Sequence, residues 1–207
     1  MVSRLFGRMV AIVLLMVGTG TAAQAQLGDL SVTGQIGAAI PVAQLADYTD
    51  PGMSFGLRVA YPISGVLDFV VDGEVDALQG RSAVDMPDMT LWRYRAGVET
   101  EVLGRSADNW GLRAHLGAGG TTFRSSEFYL DRPLQPERFK GTYFTGTGGL
   151  ELVFGEGPVA AQLGAFVHWT PMDEDDTELL ERRAPGRVER LETAFTVPLR
   201  FGLRILT

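Results

Sequence analysis

The sequence contains no cysteine, and Lys140 is its only lysine among 207 residues. Without cysteine, both a disulfide framework and a thiolate metal site are excluded, although an oxidising envelope compartment remains compatible. The formal net charge is -7. A chain this acidic has no general attraction for nucleic acid, so we expect no nucleic-acid partner.

Long hydrophobic runs are also scarce. Beyond residue 26 no run approaches the roughly 18 apolar residues that identify a transmembrane helix. Yet 45% of the chain is hydrophobic and 26 residues are glycine. A membrane role for this chain would therefore have to come from β-strands.

The first residues have the pattern of an export signal. Arg4 and Arg8 precede the apolar run Met9–Val17, and Ala23-Gln24-Ala25 has the A-x-A form of a signal-peptidase site. We predict a cleaved signal peptide over residues 1–25 and a single domain over residues 26–207. The alternative, a buried N-terminal helix or membrane anchor, is disfavoured because the apolar run is too short to cross a bilayer.

Alternation of apolar and polar residues dominates the rest of the chain and recurs eight times, as expected for half-buried strands. No stretch of comparable length has a helical period, so the chain is predicted to be all-β. The eight runs are Leu30–Ile40, Met53–Ile63, Leu67–Ala77, Trp92–Val102, Trp110–Ala118, Phe144–Phe154, Val159–Trp169 and Phe195–Ile205.

The links between these runs alternate between long and short. The long links are centred on residues 47–52, 79–89, 125–138 and 171–191, and the short ones on 64–65, 104–109 and 155–158. Outer-membrane barrels have long outer loops, short periplasmic turns and an even number of strands. The pattern predicts an eight-stranded antiparallel up-and-down transmembrane β-barrel in the bacterial outer membrane, with its N-terminus in the periplasm.

Aromatic residues on the apolar face favour lipid contact for that face. On the predicted topology they gather near the strand ends and flank a middle of Ala, Gly, Val and Leu, as in the aromatic girdles of membrane barrels. The predicted girdle residues are Tyr61, Phe69, Trp92, Tyr94, Trp110, Phe144, Phe154, Trp169 and Phe195. The alternative is a soluble, lipocalin-like periplasmic barrel that binds a ligand inside its apolar face.

The opposite face carries charges of both signs in nearly equal number. An eight-stranded barrel is just wide enough inside to be filled by side chains, so enclosed charges would have to pair. The predicted interior charge cluster consists of Arg58, Asp68, Asp72, Glu74, Arg93, Arg95, Glu99, Glu101, Arg113, Glu151, Arg200 and Arg204. His115 is expected to join this polar filling.

The first two runs carry a family resemblance. They are similar to the opening hairpin of the outer membrane protein β-barrel domain family, which is related in architecture to the membrane domain of outer membrane protein A. The residues concerned are Gly34-Gln35-Ile36-Gly37, Pro41, Asp47-Tyr48, Asp50-Pro51-Gly52, Phe55-Gly56-Leu57 and Tyr61. The resemblance implies the same fold and location, and a structural, adhesive or narrow-pore role. Family chains often end in an aromatic residue read by the barrel-assembly machinery, whereas this chain has Thr207.

Candidate chemistry is sparse. Lipid A-modifying barrels need a serine beside a histidine near the outer leaflet, and His168 has no serine placed as its nucleophile. The last loop, residues 171–192, combines Asp173, Glu174, Asp175 and Asp176 with several arginines. A solvated loop with local ion pairs is the favoured interpretation, and a divalent cation or lipopolysaccharide phosphates are the alternatives. Asp175 and Glu178 also suggest a short helix through Arg183.

The predicted function is therefore a structural or surface-interaction role for a small barrel with a filled polar interior. A narrow passage for small solutes is the second hypothesis, the soluble ligand-binding barrel the third, and a lipid A-modifying enzyme the least favoured. We expect no cofactor, metal or catalytic residue. The expected partners are outer-membrane lipid, lipopolysaccharide and the barrel-assembly machinery, with the protein itself monomeric.

Overall fold

The computed structural model describes residues 30–103, 110–128, 137–155, 158–183, 186 and 190–206. The predicted signal peptide over residues 1–25, the link 104–109 and Thr207 lie outside the described residues. Among the described residues, no helix has the length and apolar character needed to cross a membrane.

Eight antiparallel strands close into one barrel in sequence order, which confirms the predicted fold class. Strand β1 pairs with β2 on one side and with β8 on the other, with Ser31 opposite Leu206 in the closing pair. The strands are β1 Ser31–Val42, β2 Thr49–Ser64, β3 Leu67–Gly80, β4 Met89–Leu103, β5 Trp110–Ser125, β6 Lys140–Phe154, β7 Val159–Pro171 and β8 Thr193–Leu206.

The two ends of the barrel differ as the link lengths predict. At the turn end, β2 and β3 are joined by residues 65–66 and β6 and β7 by residues 155–158. At the loop end, the described residues of the first, second and fourth loops each include a short helix. These are the helix Leu45–Tyr48, the 3-10 helix Ser82–Val84 and the helix Glu174–Arg183. The helix expected in the last loop is thus present.

One predicted loop segment belongs to a strand instead. Asp50-Pro51-Gly52 lies inside β2, and Gly52 pairs with Ala39 of β1. The register of β2 against β3 shifts between Asp50 and Met53. A β-bulge tolerates a proline that a regular ladder would not, so this turn-like sequence bends the strand without ending it.

The apolar face of the strands points outward. Many large apolar side chains on it are exposed, whereas the alternate residues are buried inside the barrel. Exposed examples from six strands are Ile36, Phe55, Val71, Leu116, Leu163 and Leu203. A barrel that is apolar outside and charged inside fits a lipid solvent and inverts the pattern expected in water.

Candidate functional site

The candidate site is the barrel interior, where charged side chains from six of the eight strands meet. Six arginines face six carboxylates, so the described filling is balanced in formal charge when its histidines are neutral. The arginines are Arg58, Arg93, Arg95, Arg113, Arg200 and Arg204, and the acids are Asp68, Asp72, Glu74, Asp76, Glu99 and Glu151. Because an unpaired buried charge costs several kcal/mol, this balance is a condition of stability.

Glu74 is the hub of the network. Its carboxylate accepts hydrogen bonds from Arg95 at 2.6 Å and from Arg93 at 3.2 Å, and it also pairs with Arg200. His168 Nε2 lies 3.2 Å from Glu74 Oε2. These partners come from β4, β7 and β8, so one carboxylate on β3 joins both sides of the barrel across the lumen.

Pairing across neighbouring strands places the arginines of β4. Arg95 lies opposite Asp72 and Arg93 lies opposite Glu74 in the β3–β4 register. Arg95 donates to Asp72. Arg93 donates to Asp76, which lies two residues beyond Glu74 on β3. The structure thus places the acids of β3 in direct contact with both arginines of β4.

A second crossing of the lumen joins β2 to β6. Arg58 donates to Glu151 at 2.6 Å and to Glu99 at 3.0 Å, and Gln35 of β1 donates to Glu151 at 2.8 Å. The guanidinium of Arg58 also lies 5.1 Å from the ring centroid of Phe166. Arg200 lies 4.9 Å from the same centroid. Phe166 therefore supports two arginines by cation–π contact, a role that its isolated position among polar residues did not reveal.

Two glycines make room for this ring. A Cβ built on Gly149 would collide with the ring of Phe166, and one built on Gly164 would lie 2.7 Å from Cε2 of the same ring. Both positions point inward, where eight strands leave little width for large side chains. The abundance of glycine in this chain is partly explained by such crowding.

The turn end carries the outermost part of the network. Arg113 donates to Glu99 at 2.5 Å and to Asp68 at 2.9 Å, and Arg204 donates to Asp68 at 3.4 Å. Glu101, predicted as an interior member, lies opposite Arg113 in the register but is half-buried near an irregularity of β4. Arg113 bonds Asp68 and Glu99 instead, because these carboxylates point further into the barrel.

Hydroxyl groups form the next layer toward the loop end. Arg93 donates to Thr196 Oγ1 at 2.8 Å. Thr145 Oγ1 lies 2.5 Å from Thr121 Oγ1 and 2.8 Å from Thr170 Oγ1. All four threonines are buried. These contacts satisfy polar groups where the charged filling ends.

An apolar plug closes the loop end, and sequence reasoning missed it. Its strand residues lie on the inward face beyond the hydroxyl layer, and all four loops add side chains that fold over the opening. The plug consists of Ala39, Leu45, Tyr48, Leu78, Met86, Met89, Leu91, Phe123, Phe139, Met172, Leu180, Leu191 and Ala194. The available signal was the change from charged to apolar residues on the inward face of β3, β4 and β5.

Aromatic contacts hold the plug together. Phe123 is fully buried and packs edge-on against Phe139 and Tyr143, with ring centroids 6.3 and 5.7 Å apart. Tyr48 is also fully buried. Burial, followed by the charges of Glu181 and Asp47, raises the pKa of the Tyr48 phenol to about 12. The phenol therefore stays neutral at any physiological pH.

The nine predicted girdle aromatics all lie on the outer surface. Tyr61 pairs with Phe69 and Trp110 with Phe154 near the turn end, while Trp169 pairs with Phe195 near the loop end. Tyr94, Gly120 and Phe144 share one row, and Trp92 lies two residues nearer the loop end on β4. Trp92, Trp110 and Phe195 are half-buried, and the other six aromatics are exposed.

The two histidines, which are the candidate chemical groups, are enclosed in the polar filling of the barrel. His168 is fully buried and contacts Arg95, Thr147 and Arg200 through its ring nitrogens. His115 is buried with Nε2 3.9 Å from Asp72 Oδ2. Among the described residues, no group of three or more His, Cys, Asp or Glu side chains is arranged to hold a metal ion. The side chains of residues 174–176, on which the last-loop cation hypothesis depends, lie outside the described part.

Solved structures with the same architecture match most of the chain. Neisserial surface protein A superimposes with a TM-score of 0.56 and 15% identity, covering 85% of this chain and 96% of that protein. The outer membrane protein OprG from Pseudomonas aeruginosa gives 0.52 and 12%, covering 87% and 96%. A major outer membrane protein from Thermus thermophilus gives 0.50 and 10%, covering 86% and 99%.

The fold, the outward apolar belt and the filled interior together define the class of this protein: it is a small eight-stranded outer-membrane β-barrel. No protein-family model matches the sequence, and no curated protein is similar enough to count as a relative. The fold implied by the opening-hairpin resemblance is thus confirmed, while membership of that family remains a resemblance.

Proposed function

We propose that this barrel has a non-enzymatic structural or interaction role at the cell surface and that its interior does not conduct. The observation that carries the proposal is a double closure. Ion pairs cross the lumen from Arg58 to Glu151 and from Glu74 to Arg200, and a separate apolar plug covers the loop end. The loops are then the elements that meet partners, since loops on a rigid scaffold commonly carry recognition.

The alternative functions each need something that this arrangement opposes. A narrow passage needs a continuous wet path, which both closures interrupt. A soluble ligand-binding barrel needs an apolar cavity, but here the inward face carries six arginines and six acids. A lipid A-modifying enzyme needs a histidine open to lipid, whereas His168 is fully buried inside the barrel.

The fold neighbours support a surface role only by analogy. One of them is named as a Neisserial surface protein, and this description applies to that protein. Its likeness to this chain lies in the fold alone, and one fold hosts many functions. We propose outer-membrane lipid, lipopolysaccharide and the barrel-assembly machinery as partners, and a monomer as the assembled state.

Because the interior is closed, we expect the protein to conduct no ion current across a planar bilayer. Purified, folded protein added to planar bilayers in concentrated potassium chloride is expected to leave the current at the baseline of the lipid alone. A general porin in the same bilayers serves as the positive control. Reproducible ohmic steps from the wild-type protein would remove the closed-interior proposal and favour the narrow passage.

The predicted orientation can be read by single-cysteine labelling, because the chain has no cysteine of its own. Ser126→Cys places a thiol on an exposed loop-end residue, and Val66→Cys places one on an exposed turn-end residue. A membrane-impermeant maleimide should label Ser126→Cys on intact cells and Val66→Cys only after the outer membrane is permeabilised. The opposite pattern would place the loops in the periplasm and exclude a surface role for them.

A further inference from the structure

Two cations lie side by side on the outer surface near the loop end. Arg124 of β5 and Lys140 of β6 are direct cross-strand partners, and both are exposed. The flanking residues Phe123 and Ser125 are buried inside, so Arg124 points outward. Directly opposed residues in such a pair have Cβ atoms about 5 Å apart, and like charges there destabilise the sheet. An anion between them would reverse this repulsion.

The surroundings supply no such anion from the described part of the chain. Three other arginines at the loop end have acidic partners: Arg81 pairs with Asp47, Arg138 with Glu127 and Arg182 with Glu178. No ion pair involves Arg124 or Lys140 among the residues that the structure describes. Nearby Glu127 is taken by Arg138, and Asp88 accepts the backbone N–H of Gly80. Within the described residues, the pair therefore adds two positive charges without an ion-pair partner to this surface.

The height of the pair matches a lipid headgroup layer. Trp92 lies opposite Thr122, and Arg124 is the next outward-facing residue on β5 toward the loop end. Two residues of a strand span about 6.6 Å, which at a tilt of about 40° corresponds to about 5 Å of height. Aromatic girdles mark the membrane interface, and each headgroup layer is roughly 5–7 Å thick. Arg124 and Lys140 thus lie level with headgroup phosphates.

Hydroxyl groups complete the outer patch. Thr122 Oγ1 and Thr142 Oγ1 are 2.9 Å apart, directly between the cations and the aromatic row. One hydroxyl donates to the other, so the second O–H remains available for an acceptor nearby. Arginine binds phosphate oxygens in a bidentate manner, and lysine acts as a compact point charge beside it.

We propose that Arg124 and Lys140 bind the phosphate monoester of an anionic membrane lipid in the leaflet at the loop end. The pair faces sideways, immediately above lipid-facing aromatics, so the phosphate belongs to a lipid headgroup and not to a soluble ion. This inference rests on the proposed membrane placement and assigns residues to the proposed lipid partner. Lipopolysaccharide and phosphatidic acid both carry the required phosphate chemistry.

Trp92 provides a reporter for the test. In a Trp110→Phe/Trp169→Phe background, Trp92 is the only tryptophan, and it lies next to the pair. The protein is reconstituted into phosphatidylcholine vesicles that contain either dibrominated phosphatidic acid or dibrominated phosphatidylcholine at the same low fraction. Each cation near a charged membrane surface contributes about 1 kcal/mol, which corresponds to about a fivefold change in affinity for an anionic lipid. We therefore expect the phosphatidic acid to quench Trp92 at least fivefold more strongly than the phosphatidylcholine.

Matched variants separate the pair from general electrostatics. Arg124→Gln/Lys140→Gln should abolish the preference, whereas Arg138→Gln/Arg182→Gln, with the same net charge, should retain it. A boiled-against-unboiled shift of mobility in SDS establishes that each variant is folded. Equal quenching by the two lipids in the parent protein, or equal loss of preference in both double variants, would overturn the proposal. So would a preference that survives Arg124→Gln/Lys140→Gln.

A further arm separates lipid from soluble phosphate. Inorganic phosphate at tens of millimolar should leave the preference unchanged, and displacement of the lipid would overturn the choice of a membrane ligand. If neither brominated lipid quenches Trp92, the lipid-facing placement itself fails, and the proposed function fails with it. Quenching without preference contradicts only the phosphate site.

Discussion

Replacement of Glu74 by glutamine is expected to lower the free energy of unfolding by about 3–5 kcal/mol, the usual effect of breaking a buried ion pair on one side. The variant leaves Arg93, Arg95 and Arg200 in place around a neutral amide in a fully enclosed site. Each arginine keeps other contacts, but the balance between cations and carboxylates is lost. Urea unfolding in phospholipid vesicles, followed by tryptophan fluorescence, measures the change.

Glu101→Gln is the matched control for Glu74→Gln. Glu101 carries the same carboxylate but is half-buried at the turn end, and Arg113 bonds Asp68 and Glu99 instead of Glu101. Its loss should change stability by no more than about 0.5 kcal/mol. If the two variants unfold at the same urea concentration, Glu74 is not the hub that its contacts indicate.

The second large effect is expected at the apolar plug. Phe123→Ala removes a fully buried ring that packs against Phe139 and Tyr143, so a cavity opens where the strands meet the loops. A loss of about 3–5 kcal/mol is typical of such a truncation. Because the plug includes side chains from all four loops, its loosening should also increase trypsin cleavage in the loops, at residues such as Arg81 and Arg138.

Phe144→Ala separates plug packing from the loss of a phenyl ring. Phe144 lies on the outer surface, 56% exposed, where lipid chains fill the space left by a smaller residue. It should therefore lose less stability than Phe123→Ala and leave loop cleavage at the wild-type rate. Equal cleavage in the two variants would mean that the plug does not hold the loops.

We expect the two closures to fail independently in these experiments. Glu74→Gln disturbs the charged filling and leaves the plug residues unchanged, whereas Phe123→Ala does the reverse. A single closure suffices to interrupt a wet path, so neither variant alone is expected to conduct. Either closure alone is therefore enough to prevent ion conductance through the barrel. The proposed phosphate site lies outside both closures.

Much of the fold could be predicted from local patterns in the sequence. The two-residue periodicity predicted eight strands, and the alternation of long and short links predicted an even number of strands in up-and-down order. Both features can be read along the chain because they do not depend on contacts between distant residues. The same parity placed Arg58, Glu74, Arg95 and Glu151 on one face and Trp92 and Phe144 on the other. Strand ends were less well predicted: Asp50-Pro51-Gly52 has turn-forming residues, yet pairing with β1 and β3 keeps it in a strand.

Specific partners across the lumen depend on distances that no sequence spacing encodes. Arg58 pairs with Glu151 four strands away, and Phe166 lies between two arginines. Glu101 does not join the network, although the alternation along its strand predicts an inward side chain. The plug was missed for the same reason, since its loop residues become neighbours only when the barrel ends bring the four loops together. The sequence by itself determined the strand order, the inward charge and the outward apolar belt, because these follow from side-chain alternation along each strand. Only the tertiary structure decided which charges pair and what closes the barrel, because closure brings distant strands and loops within the reach of a single side chain.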